Sequence, residues 1–168
     1  MSSRRLQGWA LIISAAIGLV GLLGGDSSFL RILLLVGALL LMLGVPAIAS
    51  VQPIGMLGWV GIILIELSAL IALYLGFTSV TGSTLAGEAL PFASALVGAI
   101  GRVIVGWLTV RGKAFPGWAG WSFILEGFLN FVGGAFAVAL LSPIVAWIVP
   151  LAGAAALFAY GWGVVRHS

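Results

Sequence analysis

The stretch LVGAIGRVIVG, residues 96–106, decides the fold because it is one of three copies of a pattern in this chain. The other copies are LVGALLLML, residues 35–43, and LAGAAALFAYG, residues 151–161. Each copy lies in an apolar run of the length that crosses a bilayer, which is about 20 residues. The copies share Gly37, Gly98 and Gly153, and only the middle copy contains an arginine, Arg102.

The composition places the chain in a membrane. Of its 168 residues, 62% are hydrophobic and 7% are charged, whereas a soluble domain carries about 25% charge. Because so few charges cannot cover a water-facing surface, the expected partner is a lipid bilayer. The basic residues form no stripe, so no nucleic-acid binding is expected. The chain has no cysteine and one histidine, His167, which argues against disulfides, thiolate metal sites and histidine-based catalysis.

Six apolar runs predict six transmembrane helices, at about residues 7–24, 29–49, 56–77, 89–110, 118–140 and 143–164. Glycine, proline and polar residues mark the breaks. Only Pro143 marks the last one, but a continuous helix from 118 to 164 would be about 70 Å long, more than twice the hydrocarbon thickness. The prediction is an all-α polytopic membrane protein, a single transmembrane domain of three tandem helical hairpins at about residues 7–49, 56–110 and 118–164.

The basic residues predict the orientation of these spans. With six spans, Arg4, Arg5, Arg111, Lys113 and Arg166 fall on one side of the membrane and Arg31 on the other. Basic residues favour the cytoplasmic side, so both termini are expected on the cytoplasmic side of the membrane. The apolar run after MSSRR has no convincing small-x-small cleavage site before Asp26, so we expect a retained first helix rather than a signal peptide.

A second pattern marks the odd-numbered predicted helices. Each opens with Gly-Trp, at residues 8–9, 58–59 and 117–118, and nine residues after each Trp comes a small residue. Repeated marks in the same order indicate three parallel repeats rather than inverted ones. Small residues let helices pack closely in lipid. The residues predicted to do so are Gly18, Gly37, Ser68, Gly98, Gly127 and Gly153, and ligand binding by these glycines is the alternative.

Three such hairpins resemble the HdeD-like family of small bacterial membrane proteins, which is named for an acid-resistance protein. The resemblance is carried by Gly-Trp at the start of each odd helix, the small residues within it, and the LVGA-type even helices that end in basic residues. The third copy, GWAGWSFILEGFLNFVGGAFAVALLSPIVAWIVPLAGAAALFAYGWGVVRHS from residue 117, resembles it most. The resemblance implies an inner-membrane protein linked to acid or envelope stress, and it implies no catalytic residue.

Charged side chains inside the predicted spans form the candidate site. Glu66, Arg102 and Glu126 all lie about 12–15 Å from the same membrane face at 1.5 Å per residue. We therefore expect Arg102 to bridge Glu66 and Glu126, with Asn130, one turn after Glu126, completing the hydrogen bonds. Arginine suits this role because its planar fork can serve two carboxylates and remains charged.

This buried cluster has two interpretations. It is either a structural clamp that fixes which helices are neighbours, or a proton relay or pH sensor, because two carboxylates face one guanidinium. In the second case the excess acid, expected to be Glu66, is protonated near neutral pH.

The chain lacks the Walker, zincin and nucleophile-elbow motifs. We expect a non-enzymatic membrane protein without cofactor or metal. The alternatives are a proton-coupled or small-solute transporter or channel-like element, and an accessory subunit of a larger membrane complex. A homo-oligomer and a second membrane protein both remain open as partners.

Overall fold

A computed structural model describes residues 2–23, 28–81, 89–135 and 143–168, and these residues are almost entirely helical. The prediction of an all-α fold is confirmed for them. The long helices are α1 (Ser3–Leu23), α2 (Ser28–Gly44), α3 (Gly55–Thr81), α4 (Ala89–Arg111), α5 (Gly117–Ala135) and α6 (Pro143–Arg166).

The helix bounds lie close to the predicted ones, with three differences. The first helix begins at Ser3 rather than at residue 7, the second ends at Gly44 rather than at 49, and the third continues to Thr81 rather than ending at 77. The predicted end of the fifth helix at 140 lies outside the described residues. So do residues 24–27 of the predicted break at 24–28 and residues 82–88 of the predicted break at 78–88. The last helix begins at Pro143, where proline is favoured because the first helical position needs no N–H.

Each long helix packs against the next one along the chain, and α6 returns to pack against α1, so that the helices close a ring. Gly8 near the start of α1 lies against Gly161 near the end of α6. Both chain termini therefore lie at one end of the bundle, which we call the terminal end.

An irregular connection joins α2 to α3 at the terminal end. After Gly44 the chain forms a 3-10 turn, Val45–Ala47, and a single α-turn, Ile48–Val51. Gln52 is extended, as expected before a proline, and Gly55 has a φ of 57°, which only glycine adopts readily. The side chain of Gln52 is buried and donates a hydrogen bond from Nε2 to the carbonyl oxygen of Leu108, at 2.8 Å. This bond ties the connection to the end of α4.

Two pairs of glycines bring neighbouring helices into backbone contact. A Cβ atom added at Gly8 would lie 2.8 Å from the carbonyl oxygen of Gly161, and one added at Gly161 would lie 2.6 Å from that of Gly8. Gly106 on α4 and Gly120 on α5 form a second reciprocal pair. The helices can approach this closely only because these positions have no side chain.

The three glycines shared by the repeated pattern each face the helix that precedes their own along the chain. Gly37, Gly98 and Gly153 each lie directly beneath a side chain of the preceding odd helix, namely that of Ile17, Ser68 or Glu126. Each shared glycine thus makes room for one side chain of its partner helix.

The other predicted packing residues differ in their surroundings. A Cβ atom at Gly127 would lie 2.9 Å from the carbonyl oxygen of Ala99 on α4. The hydroxyl of Ser68 donates a hydrogen bond of 2.9 Å to the carbonyl oxygen of Ser94. Gly18, in contrast, has no atom of the described residues within 4 Å of an added Cβ, so none of these residues packs closely against it.

The tightest core lies in the terminal half of the ring. Leu11, Ile62, Val105, Phe123 and Tyr160 are at most 2% exposed, and they lie six to eight residues from the terminal ends of their helices. They come from every long helix except α2, which contributes through Val45 and Ile48 in the connection that follows it. Large apolar side chains therefore close the interior of the ring at this end.

The outside of the ring is apolar. Within the described residues, four helices are long and apolar enough to cross a membrane, at Phe29–Val51, Gly55–Thr78, Ala89–Arg111 and Trp147–Arg166. Large hydrophobic side chains on these helices are exposed, for example Ile63 at 60% and Phe158 at 52%. Such a surface is suited to contact with lipid rather than water.

The glycine pairs generate a test of the packing. We expect Gly161→Ala to lower the thermal unfolding midpoint in detergent, because the new methyl group would lie 2.6 Å from a backbone oxygen that cannot yield. Overpacking of this kind costs about 1–3 kcal/mol. Gly18→Ala is the matched control and should cause no loss, because the space there is open. Equal midpoints for the two variants would contradict the proposed close contact of α1 with α6.

Candidate functional site

An ion pair joins α4 to α5 inside the ring. Nε of Arg102 lies 3.1 Å from Oε1 of Glu126, and the two side chains are 16% and 11% exposed. The N–H of Nε does not point at the oxygen well enough to form a hydrogen bond. The contact is therefore mainly one of charge, which is strengthened by the apolar surroundings.

Glycines create the space for this ion pair. A Cβ atom at Gly153 of α6 would lie 2.5 Å from the carboxyl carbon of Glu126, so the carboxylate rests directly on the α6 backbone. A Cβ atom at Gly127 would lie 3.1 Å from Cβ of Arg102, and one at Gly98 would lie 2.5 Å from Nη1 of Arg102. The guanidinium thus extends along α4 over Gly98, and the ion pair touches α4, α5 and α6.

The predicted bridge from Arg102 to Glu66 is not formed, because the ion pair of Arg102 in the described part of the chain is with Glu126 alone. Gly61 and Ile65 form the face of α3 that packs against Gly101 of α4. Glu66 follows Ile65, and one residue turns the side-chain direction by about 100°. Glu66 therefore shares the depth of Arg102 but lies off the line along which α3 meets α4.

The environment of Glu66 differs from that of Glu126. Glu66 is half-buried, and within the described residues its Oε1 is buried without a hydrogen-bond partner. The predicted cluster of two carboxylates around one guanidinium is thus reduced to one ion pair and one separate carboxyl group.

Asn130 makes no hydrogen bond to Arg102 among the described residues, but both side chains line the same cavity. This cavity has a volume of about 300 Å³ and lies between α3, α4 and α5. Ser68 and Ser94 also line it, together with Ala72, Leu75, Pro91 and Ala95.

The two serines of this cavity bond to each other's helices. The hydroxyl of Ser68 donates to the carbonyl oxygen of Ser94, and the hydroxyl of Ser94 donates to the carbonyl oxygen of Ser68 at 3.1 Å. Ser14 of α1 donates in the same manner to the carbonyl oxygen of Gly37 on α2, at 2.9 Å. These hydroxyl groups therefore join α3 to α4 and α1 to α2.

Sequence reasoning missed the buried tyrosine at the centre of the core. The hydroxyl of Tyr160 donates a hydrogen bond of 3.0 Å to Oγ1 of Thr109, and both residues are fully buried. The rings of Phe115 and Phe123 pack edge-on against Tyr160, with centroid distances of 5.0 and 5.3 Å. The sequence feature that could have indicated this contact is a tyrosine in an apolar run directly before Gly161. The same feature is equally typical of an aromatic side chain that faces lipid.

The described residues contain no group of three or more His, Asp or Glu side chains that could hold a metal ion. Comparison with known proteins finds no family model, no characterised relative and no solved structure that matches this chain. What the site can do must therefore be inferred from its own geometry.

The ion pair generates a direct test. We expect Glu126→Gln to destabilise the protein by about 2.5–3.5 kcal/mol, the cost of an unpaired charge inside a membrane, because Arg102 loses its counter-charge. Glu66→Gln is the matched control and should leave the unfolding midpoint unchanged, because Glu66 is not in the ion pair of Arg102. Unfolding in detergent would measure both variants. A loss for Glu66→Gln as large as that for Glu126→Gln would contradict this assignment.

Proposed function

We propose that this chain is an integral membrane protein that crosses the plasma membrane six times as three tandem hairpins. The main support is the ring. The four helices that are apolar enough to span a membrane are α2, α3, α4 and α6. The other two long helices lie between them, because α1 packs against α2 and α6, and α5 packs against α4 and α6. These contacts would place α1 and α5 at the same depth.

Basic and aromatic residues support cytoplasmic termini. The charged residues at the terminal end include Arg111 and Lys113, which are exposed, and basic loops favour the cytoplasm. The guanidinium of Arg111 lies 4.5 Å from the ring centroid of Trp107. Six tryptophans near this end are 40–57% exposed, as expected for a membrane–water interface. They are Trp9, Trp59, Trp107, Trp118, Trp121 and Trp162.

The activity that we propose is non-enzymatic and depends on the ring as a rigid membrane unit. The ion pair of Arg102 and Glu126, resting on Gly153, would act as a clamp between three helices. The resemblance to the HdeD-like family is the observation that supports a role in acid or envelope stress in a bacterium.

Transport of a small solute or of protons is the second candidate. The observation that favours it is the cavity that reaches Arg102 from between α3, α4 and α5. The observation against it is the terminal half of the ring, where Ile62, Phe123 and Tyr160 fill the interior. A path from the cavity to the terminal end would have to pass these buried side chains.

The proposed topology can be tested by cysteine labelling, because the chain has no cysteine of its own. We expect Lys113→Cys to react with a membrane-impermeant maleimide only after the cells are permeabilised. Thr81→Cys, at the opposite end of α3, should react in intact cells. The reverse pattern would contradict cytoplasmic termini, and equal labelling of both sites in intact cells would contradict the six-span arrangement.

The proposed stress role can be tested by deleting the gene from its bacterium. We expect lower survival after acid shock and full rescue by the wild-type gene and by Glu66→Gln, but weaker rescue by Glu126→Gln, because the clamp is lost. Purified protein in liposomes that contain a pH-sensitive dye should show no proton flux. Unchanged survival would contradict the stress role, whereas flux that Glu126→Gln abolishes would favour transport.

A further inference from the structure

Arg102 is the one cationic residue among the described residues that line the cavity between α3, α4 and α5. Arg102 lies about 13 Å along α4 from its terminal end, and Ser94 lies about 8 Å from the opposite end, at 1.5 Å per residue. The cavity therefore extends from the middle of the bundle toward the end opposite the termini. Its volume of about 300 Å³ is at the lower limit of the range for small-ligand sites.

The ion pair presents its positive side to this cavity. Glu126 lies on the Nε side of the guanidinium, and its carboxylate is held against Gly153 on the far side from α3. Nη1 of Arg102 lies over Gly98, beside the position of the Ser68 hydroxyl. In the part of the chain that the structure describes, no group accepts a hydrogen bond from Nη1 or Nη2. Two donor nitrogens thus remain for a ligand.

The other polar groups of the cavity determine which ligand these nitrogens can take. Ser68 and Ser94 already donate to each other's backbone, so they offer little to a ligand. Among the described residues that line the cavity, the amide of Asn130 is the remaining donor. These described residues include no carboxylate, so they offer no group that would attract a cation.

We infer that this cavity binds a small oxyanion, a phosphate or carboxylate group, between the outer nitrogens of Arg102 and the amide of Asn130. A guanidinium presents parallel N–H groups that match two oxygens of such an anion. The apolar surroundings strengthen this attraction. The oxyanion can come from a lipid headgroup or from a soluble anion, which share this chemistry. The inference goes beyond the proposed function, because it holds whether or not the protein acts in stress.

The experiment measures the thermal unfolding midpoint in a neutral detergent with increasing inorganic phosphate or acetate, at fixed pH and ionic strength balanced with sodium chloride. A ligand that binds only the folded protein raises this midpoint in a concentration-dependent manner. In a parallel arm, native mass spectrometry counts phosphatidylglycerol molecules that remain bound to the purified protein, with phosphatidylcholine for comparison.

Variants of the cavity avoid removing Arg102, because that would leave Glu126 without its counter-charge. Asn130→Leu removes the second donor, and Ala95→Phe fills the cavity without changing the ion pair. Ala155→Phe, on an exposed position of α6, is the matched control. We expect the two cavity variants to weaken binding by about tenfold or more, the effect of losing one well-placed contact, and the control to bind like wild type.

The outcomes are distinguishable. A rise of the midpoint with phosphate or acetate that is lost in Ala95→Phe supports a soluble anion as the ligand. Retention of phosphatidylglycerol alone, again lost in Ala95→Phe, supports a lipid headgroup. The inference is overturned if neither occurs in wild-type protein, or if the cavity variants bind as well as Ala155→Phe. None of these outcomes depends on the stress assay.

Discussion

One guanidinium and one carboxylate share the apolar interior of this bundle, and their contact restricts how the helices can be arranged. A charged side chain in mid-membrane costs about 2.5–3.5 kcal/mol on insertion scales, so neither group is tolerated well alone. Arg102 and Glu126 lie 3.1 Å apart, and the carboxylate rests on the backbone at Gly153. Any rotation of α5 that separated the two groups would leave both charges uncompensated. Such a pair selects one arrangement over others more than it adds net stability.

The even-numbered helices share a pattern of small residues, but their contacts are not equivalent. Gly106 and Gly161 come eight residues after the shared glycine of their helices, and both meet a glycine of the next helix in the ring. Gly44 comes seven residues after Gly37, and it packs against Leu11 of α1 instead. The chain then continues into the 3-10 turn Val45–Ala47. Gly44 therefore does not form a glycine pair like those of Gly106 and Gly161. The connection from α2 to α3 is instead anchored by the hydrogen bond from Gln52 to the end of α4.

The sequence could predict depth in the bundle but not direction around each helix. Depth follows from 1.5 Å per residue, and it correctly brought Arg102 near Glu126. Glu66 has the same depth, yet its predicted bridge to Arg102 was wrong, because Ile65 rather than Glu66 packs against α4. Glycine spacing predicted close packing at Gly153 but not that the neighbour would be the Glu126 carboxylate. The hydrogen bond from Tyr160 to Thr109 was not predicted. The direction in which one tyrosine side chain points depends on how all six long helices pack together.

The coupling free energy between Arg102 and Glu126 tests the central claim most directly. A double-mutant cycle with Arg102→Met, Glu126→Leu and the double variant would give this energy from unfolding in detergent. The account predicts that each single variant is strongly destabilised, because a charge is left alone, and that the double variant recovers most of the loss. Additive losses in the double variant would show that the two charges do not depend on each other, and would contradict the proposed clamp.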